Sequence, residues 1–189
     1  SDGAMELLKK ETPKKLDNVE TAVTGSVKNL CLAAAEACEA LGYRPLILTD
    51  QLCCEAREAG SFLASVAKTY QDSSCSLVFL AGGETIVHLT GTGKGGRNQE
   101  LALAAAEGIA GLKNTAVFSI GSDGTDGPTD AAGGFCDGHT KDRLMSKGIE
   151  IYQVLQDNNA YMALEEADGL IKTGATGTNV NDVAVVLIK

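Results

Sequence analysis

SVKNLCLAAAEACEALGYRPLILTD, residues 26–50, decides the fold class of this 189-residue chain. Ser26 belongs to the few residue types whose side chain accepts the unpaired amides of a helix start. Behind it Val27, Leu30, Cys31, Ala34, Cys38 and Leu41 recur at the spacing of one buried helical face. Gly42 closes that helix as a C′ residue does, and Pro45 to Thr49 follows as a short buried strand. Upstream, Val19 to Thr24 alternates apolar and β-branched residues and reads as a strand leading into the helix. Downstream, a helix is predicted over roughly Glu55 to Lys68, with Ala59, Phe62, Leu63 and Val66 inward, then an apolar strand at Leu77–Leu80. This β-α-β-α-β alternation implies right-handed crossovers and a largely parallel sheet covered on both faces.

The pattern changes after Leu80. Only Ala81-Gly-Gly-Glu84 separates it from the alternating stretch Thr85–Leu89, too short for a crossover helix, so an antiparallel hairpin is expected. A helix follows over Asn98–Ile109, a strand over Thr115–Ile120, helical stretches near Lys141–Lys147 and Asn159–Glu166, and a last strand over Val183–Ile188. The expected architecture is α/β: a three-layer sandwich around a mixed, mostly parallel sheet of about six strands with an antiparallel hairpin. Residues 1–18, polar and lysine-rich, read as a linker or the remnant of an upstream segment, and 19–189 as a single α/β domain.

A net charge of −9 with no run of Lys and Arg argues against nucleic acid or an anionic membrane as partner. It does not argue against phosphate, because anion sites are local. Neither a leader peptide nor an 18-residue apolar run is found in the sequence, which points to the cytoplasm. Six cysteines, at 31, 38, 53, 54, 75 and 136, match neither zinc pairs nor a disulfide framework, which agrees with a reducing compartment.

Fourteen of the 22 glycines lie between positions 81 and 138, around two loops of opposite charge. GTGKGGRNQE, residues 91–100, is basic; GSDGTDGPTDAAGG, residues 121–134, is acidic. Glycine lets backbone amides approach a ligand closely, at an entropic cost that core packing does not call for. The first loop opens a helix, whose free amides and dipole attract an anion, and Lys94 and Arg97 add two charges there. Arg97 offers a planar fork for phosphate, Asn98 belongs to the same turn, and Glu100 is spaced to orient Arg97 as an i, i+3 pair. The loop also matches G-x-G-x-x-G at Gly91, Gly93 and Gly96, the dinucleotide pattern, without the buried strand or ribose-binding acid that should accompany it. Asp123, Asp126 and Asp130 follow a strand, where sites of open α/β sheets lie; they suit Mg²⁺ or a substrate hydroxyl proton. Glu84 occupies the expected hairpin turn, and Thr176, Thr178 and Asn179 a third Gly/Thr loop. His88 and His139 have no partner at metal or triad spacing.

AGGETIVHLTGTGKGGRNQELAL, GSDGTDGPTDAAGG and TGATGTNVNDVAVVLI resemble, in order and spacing, the C-terminal MOFRL region of the class II glycerate 2-kinases. VTGSVKNLCLAAAEACEALGYRPLILTD resembles the segment before that region, so the likeness runs from Asn18 to Lys189, with residues 81–189 MOFRL-like. The resemblance implies ATP-dependent phosphorylation of D-glycerate to 2-phosphoglycerate, with Mg²⁺, in a cleft between two α/β domains. It implies a catalytic or phosphate-binding role for Arg97, supported by Asn98 and Glu100, and places Asp123, Asp126 and Asp130 on the matching acidic loop. The reading assigns catalysis to Arg97, Asp123 and Asp126, and Mg²⁺ to Asp123 and Asp126. Glu84, Lys94, Gly95, Gly96, Asn98, Glu100, Asp130, Thr178 and Asn179 take substrate or phosphate. Relatives of this kind carry a large N-terminal domain, so the chain is expected to be the C-terminal part of an enzyme, inactive alone. A homodimer is left open. Two other classes remain: an NAD(P)H-dependent hydroxypyruvate reductase, the label often given to the family, and a non-catalytic anion-binding module.

Overall fold

The computed structural model describes residues 6, 14–20, 22 and 24–189. Most of the linker expected over residues 1–18 lies outside them, as do positions 21 and 23 of the strand expected over 19–24, whose other four residues lie in no helix or strand. Six helices and six strands follow within the described residues: α1 (Val27–Ala40), β1 (Arg44–Leu52), α2 (Ala56–Tyr70), β2 (Leu77–Gly83), α3 (Arg97–Ile109), β3 (Thr115–Gly121), β4 (Gly133–Asp137), α4 (Thr140–Ser146), α5 (Ile151–Gln156), α6 (Ala160–Glu166), β5 (Leu170–Ile171) and β6 (Asp182–Ile188). None of these helices is long and apolar enough to cross a membrane. All six cysteines are free.

Ser26 caps α1 by accepting the Asn29 amide, and Gly42 closes it at φ 85°. Alternation along β2 and β6 divides the core between two faces. Val78, Leu80, Val183 and Val185 meet Cys31 of α1 on one; Leu77, Phe79, Ala81, Val186 and Ile188 meet α2, α3 and α6 on the other. Helices therefore cover both faces of the sheet, as expected of an α/β sandwich. α2 and α3 come together without room for a side chain at Gly60, whose missing Cβ would lie 2.2 Å from the Leu101 carbonyl.

The sheet is mixed and six-stranded, in the order β1-β2-β6-β3-β4-β5, but it is not mostly parallel. Only β1 and β2 form a parallel pair; β2–β6, β6–β3, β3–β4 and β4–β5 are antiparallel. β1, β2 and β3 do run in one direction, as the crossover pattern requires. The chain's last strand, however, fills the slot between β2 and β3, and β4 turns back along β3. The hairpin expected from Leu77–Leu80 to Thr85–Leu89 is absent for the same reason: β1 and β6 occupy both edges of β2. Residues 85–89 instead run past α2, with one bridge between Glu55 and Ile86. The antiparallel hairpin of this fold is β3–β4, and the acidic loop is its connection.

This topology places the site. Asp182, the first residue of β6, pairs with Gly83 at the end of β2 and with Gly121 at the end of β3. The loops leaving β2 and β3 and the loop entering β6 therefore meet at one end of the sheet.

Candidate functional site

At that end lies a cavity of about 610 Å³. Glu84, Gly95, Gly96, Arg97, Glu100, Asp126 and Asn158 are among its polar lining, and Ile86, Leu89 and Pro128 among its apolar lining. Arg97 and Asp126, 29 positions apart, thus share one cavity.

Arg97 opens α3, and its guanidinium is fixed on two sides. Nε and Nη2 donate to the two oxygens of Asp182, the second at 3.1 Å, and Nη1 lies 3.2 Å from Glu84 Oε1. The hydrogen bond to Asp182 raises its proton affinity further, so Arg97 stays charged at every working pH. Glu84 was expected to serve a hairpin turn and substrate; it sits beside Arg97. Asp182, buried, was not expected to take part at all. Its signal was the acidic residue that opens an otherwise apolar strand, in TNVNDVAVV. Glu100 does not orient Arg97: its oxygens accept from Arg57 Nε and Asn158 Nδ2, both at 3.2 Å. Burial raises the Glu100 carboxyl above its ordinary range, and these two partners oppose the rise.

The start of α3 already holds an anion, the carboxylate of Asp126. Its oxygens accept the backbone amides of Asn98 (3.1 Å) and Gln99 (2.9 Å) and the side-chain amides of both residues. Burial raises the Asp126 carboxyl, and the backbone amides of Gln99 and Asn98 counteract it. Asn98, expected to meet ligand, is buried and bonds Asp126 and the Ser119 hydroxyl instead. Gly96 exists for this contact: a Cβ there would lie 2.3 Å from the Asp126 carboxyl carbon.

Gly91 and Gly93 of the basic loop likewise approach the protein. A Cβ on Gly91 would lie 2.3 Å from Asp157 Cα, and one on Gly93 2.4 Å from Asn159 Cβ. Asp157, Asn158 and Asn159 hold the amides of Thr90 through Lys94. The next three amides, of Gly95, Gly96 and Arg97, have no acceptor among the described residues, and all three residues line the cavity. Successive free amides beside a guanidinium make a concavity suited to phosphate oxygens.

The other predicted residues form the supports of the loops. Asp123 accepts the Thr125 amide at 2.9 Å and the Asn179 side chain at 3.4 Å, and its carbonyl takes the Thr176 amide. Thr178 donates its amide to the Thr176 hydroxyl. These contacts bind the third loop to the acidic one. Asp130 accepts from the Tyr161 hydroxyl (2.7 Å) and Lys172 (2.9 Å), while the Lys94 ammonium lies 4.1 Å from the centre of the Tyr161 ring. Tyr161 thereby joins the basic loop to the acidic one. His88 meets Glu55 at 3.2 Å. No cluster of three His, Cys, Asp or Glu able to hold a metal occurs among the described residues. Four N–H donors already occupy the Asp126 carboxylate, which therefore does not suit a resident Mg²⁺.

The Asp130 clamp carries a prediction. The hydrogen bonds from Lys172 and Tyr161 hold its carboxyl down at about 2, from an ordinary 3.8. A depressed carboxyl stabilises the folded state above its unfolded value, and that contribution disappears as pH falls from 3.8 towards about 2. Carbon-detected NMR titration should find the low midpoint, and Lys172→Met should return it towards 3.8. An unchanged midpoint in the variant would remove Lys172 from the clamp.

A sequence model described as the MOFRL family matches residues 77–182, more than half of the chain. The chain is 46% identical over 194 aligned positions to a D-glycerate 2-kinase of Thermotoga maritima, covering 100% of this chain and 46% of that relative. It is 38% identical to a putative hydroxypyruvate reductase of Agrobacterium vitis, over 82% of this chain and 42% of the relative. The crystal structure of a glycerate kinase from Thermotoga maritima superimposes with a TM-score of 0.88 at 45% identity, covering all of this chain and 47% of that one. The chain thus spans less than half the length of each of these relatives. With that match over loops and sheet alike, the chain belongs to the MOFRL family.

Proposed function

We propose that the intact protein transfers the γ-phosphoryl group of ATP to a hydroxyl of D-glycerate, giving 2-phosphoglycerate, and that this chain supplies one side of the active cleft. The observation that carries the reading is Arg97, aimed by Asp182 and Glu84 beside the free amides of Gly95–Arg97. Phosphoryl transfer needs little covalent chemistry from the protein; it needs fixed positive groups around three equatorial oxygens. In the proposed step the glycerate hydroxyl oxygen bonds to phosphorus as the bond to ADP breaks, and the hydroxyl proton is released to water. The amides and Arg97 hold the oxygens of the group in transit. Mg²⁺ enters as part of the substrate MgATP rather than on Asp123 and Asp126. Asp126 acts here as the residue that sets the start of α3, and Asp123 as a loop support. The Thermotoga maritima relatives support the choice of glycerate.

The rival is hydroxypyruvate reduction, the activity named for the Agrobacterium vitis relative. Against it, Gly91 and Gly93 lie on Asp157 and Asn159 and Gly96 on Asp126, where a dinucleotide site would turn such glycines to the pyrophosphate. Incubating the intact protein with MgATP and D-glycerate should yield ADP and 2-phosphoglycerate by phosphorus NMR. Oxidation of NAD(P)H by hydroxypyruvate, without ADP formation from glycerate, would replace the kinase with the reductase. These 189 residues alone should turn over little, because more than half the length of the named relatives lies outside them.

A further inference from the structure

Asp157-Asn158-Asn159, three consecutive polar residues between α5 and α6, have no part of their own in the proposed transfer step. Asn158 is buried and held at φ 53°, a conformation that Asn tolerates better than most residues. A primary amide has two donor hydrogens and two acceptor sites, and Asn158 uses all four. Its Oδ1 accepts the amides of Thr90 (2.7 Å) and Gly91 (2.9 Å); its Nδ2 donates to the His88 carbonyl (3.1 Å) and to Glu100 Oε2 (3.2 Å). On either side, Asp157 takes the amides of Thr92 and Gly93, and Asn159 that of Lys94. Five successive amides thus end on three successive residues. The ribbon they anchor runs directly into Gly95, Gly96 and Arg97.

We propose that Asn158 is a positioning residue for the phosphate cradle, an inference that rests on the phosphoryl-transfer reading. Its oxygen fixes the start of the ribbon, and its nitrogen ties that start to Glu100, one turn into the helix that Arg97 opens. The free amides and the guanidinium are thereby held in one frame. Aspartate has the same shape and lacks the two donors, and it would place a second carboxylate against Glu100. A side chain that only filled space would need none of the four bonds.

Asn158→Gly is the sharpest variant, because glycine adopts positive φ freely, so the backbone carries no strain while the side-chain amide is removed. In the 189-residue chain, hydrogen exchange should speed up by about tenfold or more across all five amides Thr90–Lys94, with the β6 amides unchanged and the melting temperature lowered by the loss of buried hydrogen bonds. Affinity for inorganic pyrophosphate should fall by about tenfold to a hundredfold. In the intact protein the KM for ATP should rise while that for D-glycerate holds; a merely structural loss would lower kcat alone. Exchange that changes only at Thr90 and Gly91, or faster exchange with wild-type pyrophosphate affinity where Arg97→Ala loses it, would overturn the proposal. Should Arg97→Ala bind pyrophosphate as the wild type does, the phosphoryl-transfer reading fails instead. The exchange pattern then still decides whether Asn158 orders the loop.

Discussion

Arg97→Ala in the intact protein is expected to lower the rate of phosphoryl transfer by about 10³- to 10⁵-fold, or ~4–7 kcal/mol of transition-state stabilisation. Arg97 is the cation of the polar cavity wall, and its fork is already aimed before substrate arrives. Such preorganised charge stabilises a transition state at no cost of reorganisation. The variant has a second consequence that must be separated from the first. Asp182 is only 6% exposed and would lose the partner of both its oxygens, at a cost of up to about 3 kcal/mol in stability. The double variant Arg97→Ala with Asp182→Asn removes the stranded charge and should melt near the wild type while remaining inactive. Arg97→Lys keeps the charge but loses the bidentate fork, and should fall between wild type and alanine. A folded Arg97→Ala enzyme with wild-type kcat/KM for D-glycerate and MgATP would sink the assignment.

Gly60→Ala should destabilise the fold by about 3 kcal/mol or more, although alanine in place of glycine within a helix ordinarily gains about 1 kcal/mol. Propensity and packing oppose one another here, and the distances decide between them. The added Cβ would lie 2.2 Å from the Leu101 carbonyl, 3.0 Å from Ala104 Cβ and 3.1 Å from the Ala105 amide nitrogen. Two of these are backbone atoms of α3, which cannot turn aside as a long side chain does. The helices must part, opening the core around Leu63, Leu101 and Ile109. Domains are stable by about 5–15 kcal/mol, so the loss is a large share of the total. The comparison is Gly42→Ala, which meets nothing within 4 Å and carries only the strain of φ 85°, about 1 kcal/mol. Thermal or urea unfolding of the two variants should rank them in this order. Equal stability would show that α2 and α3 separate readily at Gly60.

Four of the six strands were legible, because β1, β2, β3 and β6 are apolar runs bounded by turn residues. β4, Gly-Gly-Phe-Cys-Asp, was hidden in the tail of the acidic loop: two glycines and an aspartate carry little strand preference. β3 supplies its partner and the core encloses Cys136, so tertiary pairing outweighs local preference. Thr85–Leu89 failed in the opposite sense, with the alternation of a strand and no free edge to join. The site divides in the same way. Arg97, Glu84 and Asp126 were legible as charged residues in glycine-rich loops. Asp182 was not, because one acid at the head of an apolar strand is common. Asn158 was not, because a short Asp-Asn-Asn run between helices reads as an ordinary turn.

By itself, the amino-acid sequence determined the layered α/β class, the loops that carry charge and glycine, and the family likeness. Periodicity, helix caps and motif spacing act within a few residues of one another and are therefore written along the chain. Only the tertiary structure decided that β6 lies between β2 and β3, and so that Asp182 rather than Glu100 aims Arg97. Only it decided that Gly91, Gly93 and Gly96 make room for Asp157, Asn159 and Asp126, which leaves the amides of Gly95–Arg97 free. Those contacts join residues 30 to 85 positions apart. Which distant partner reaches an exposed amide first is settled by packing of the whole sheet, and no local pattern encodes it.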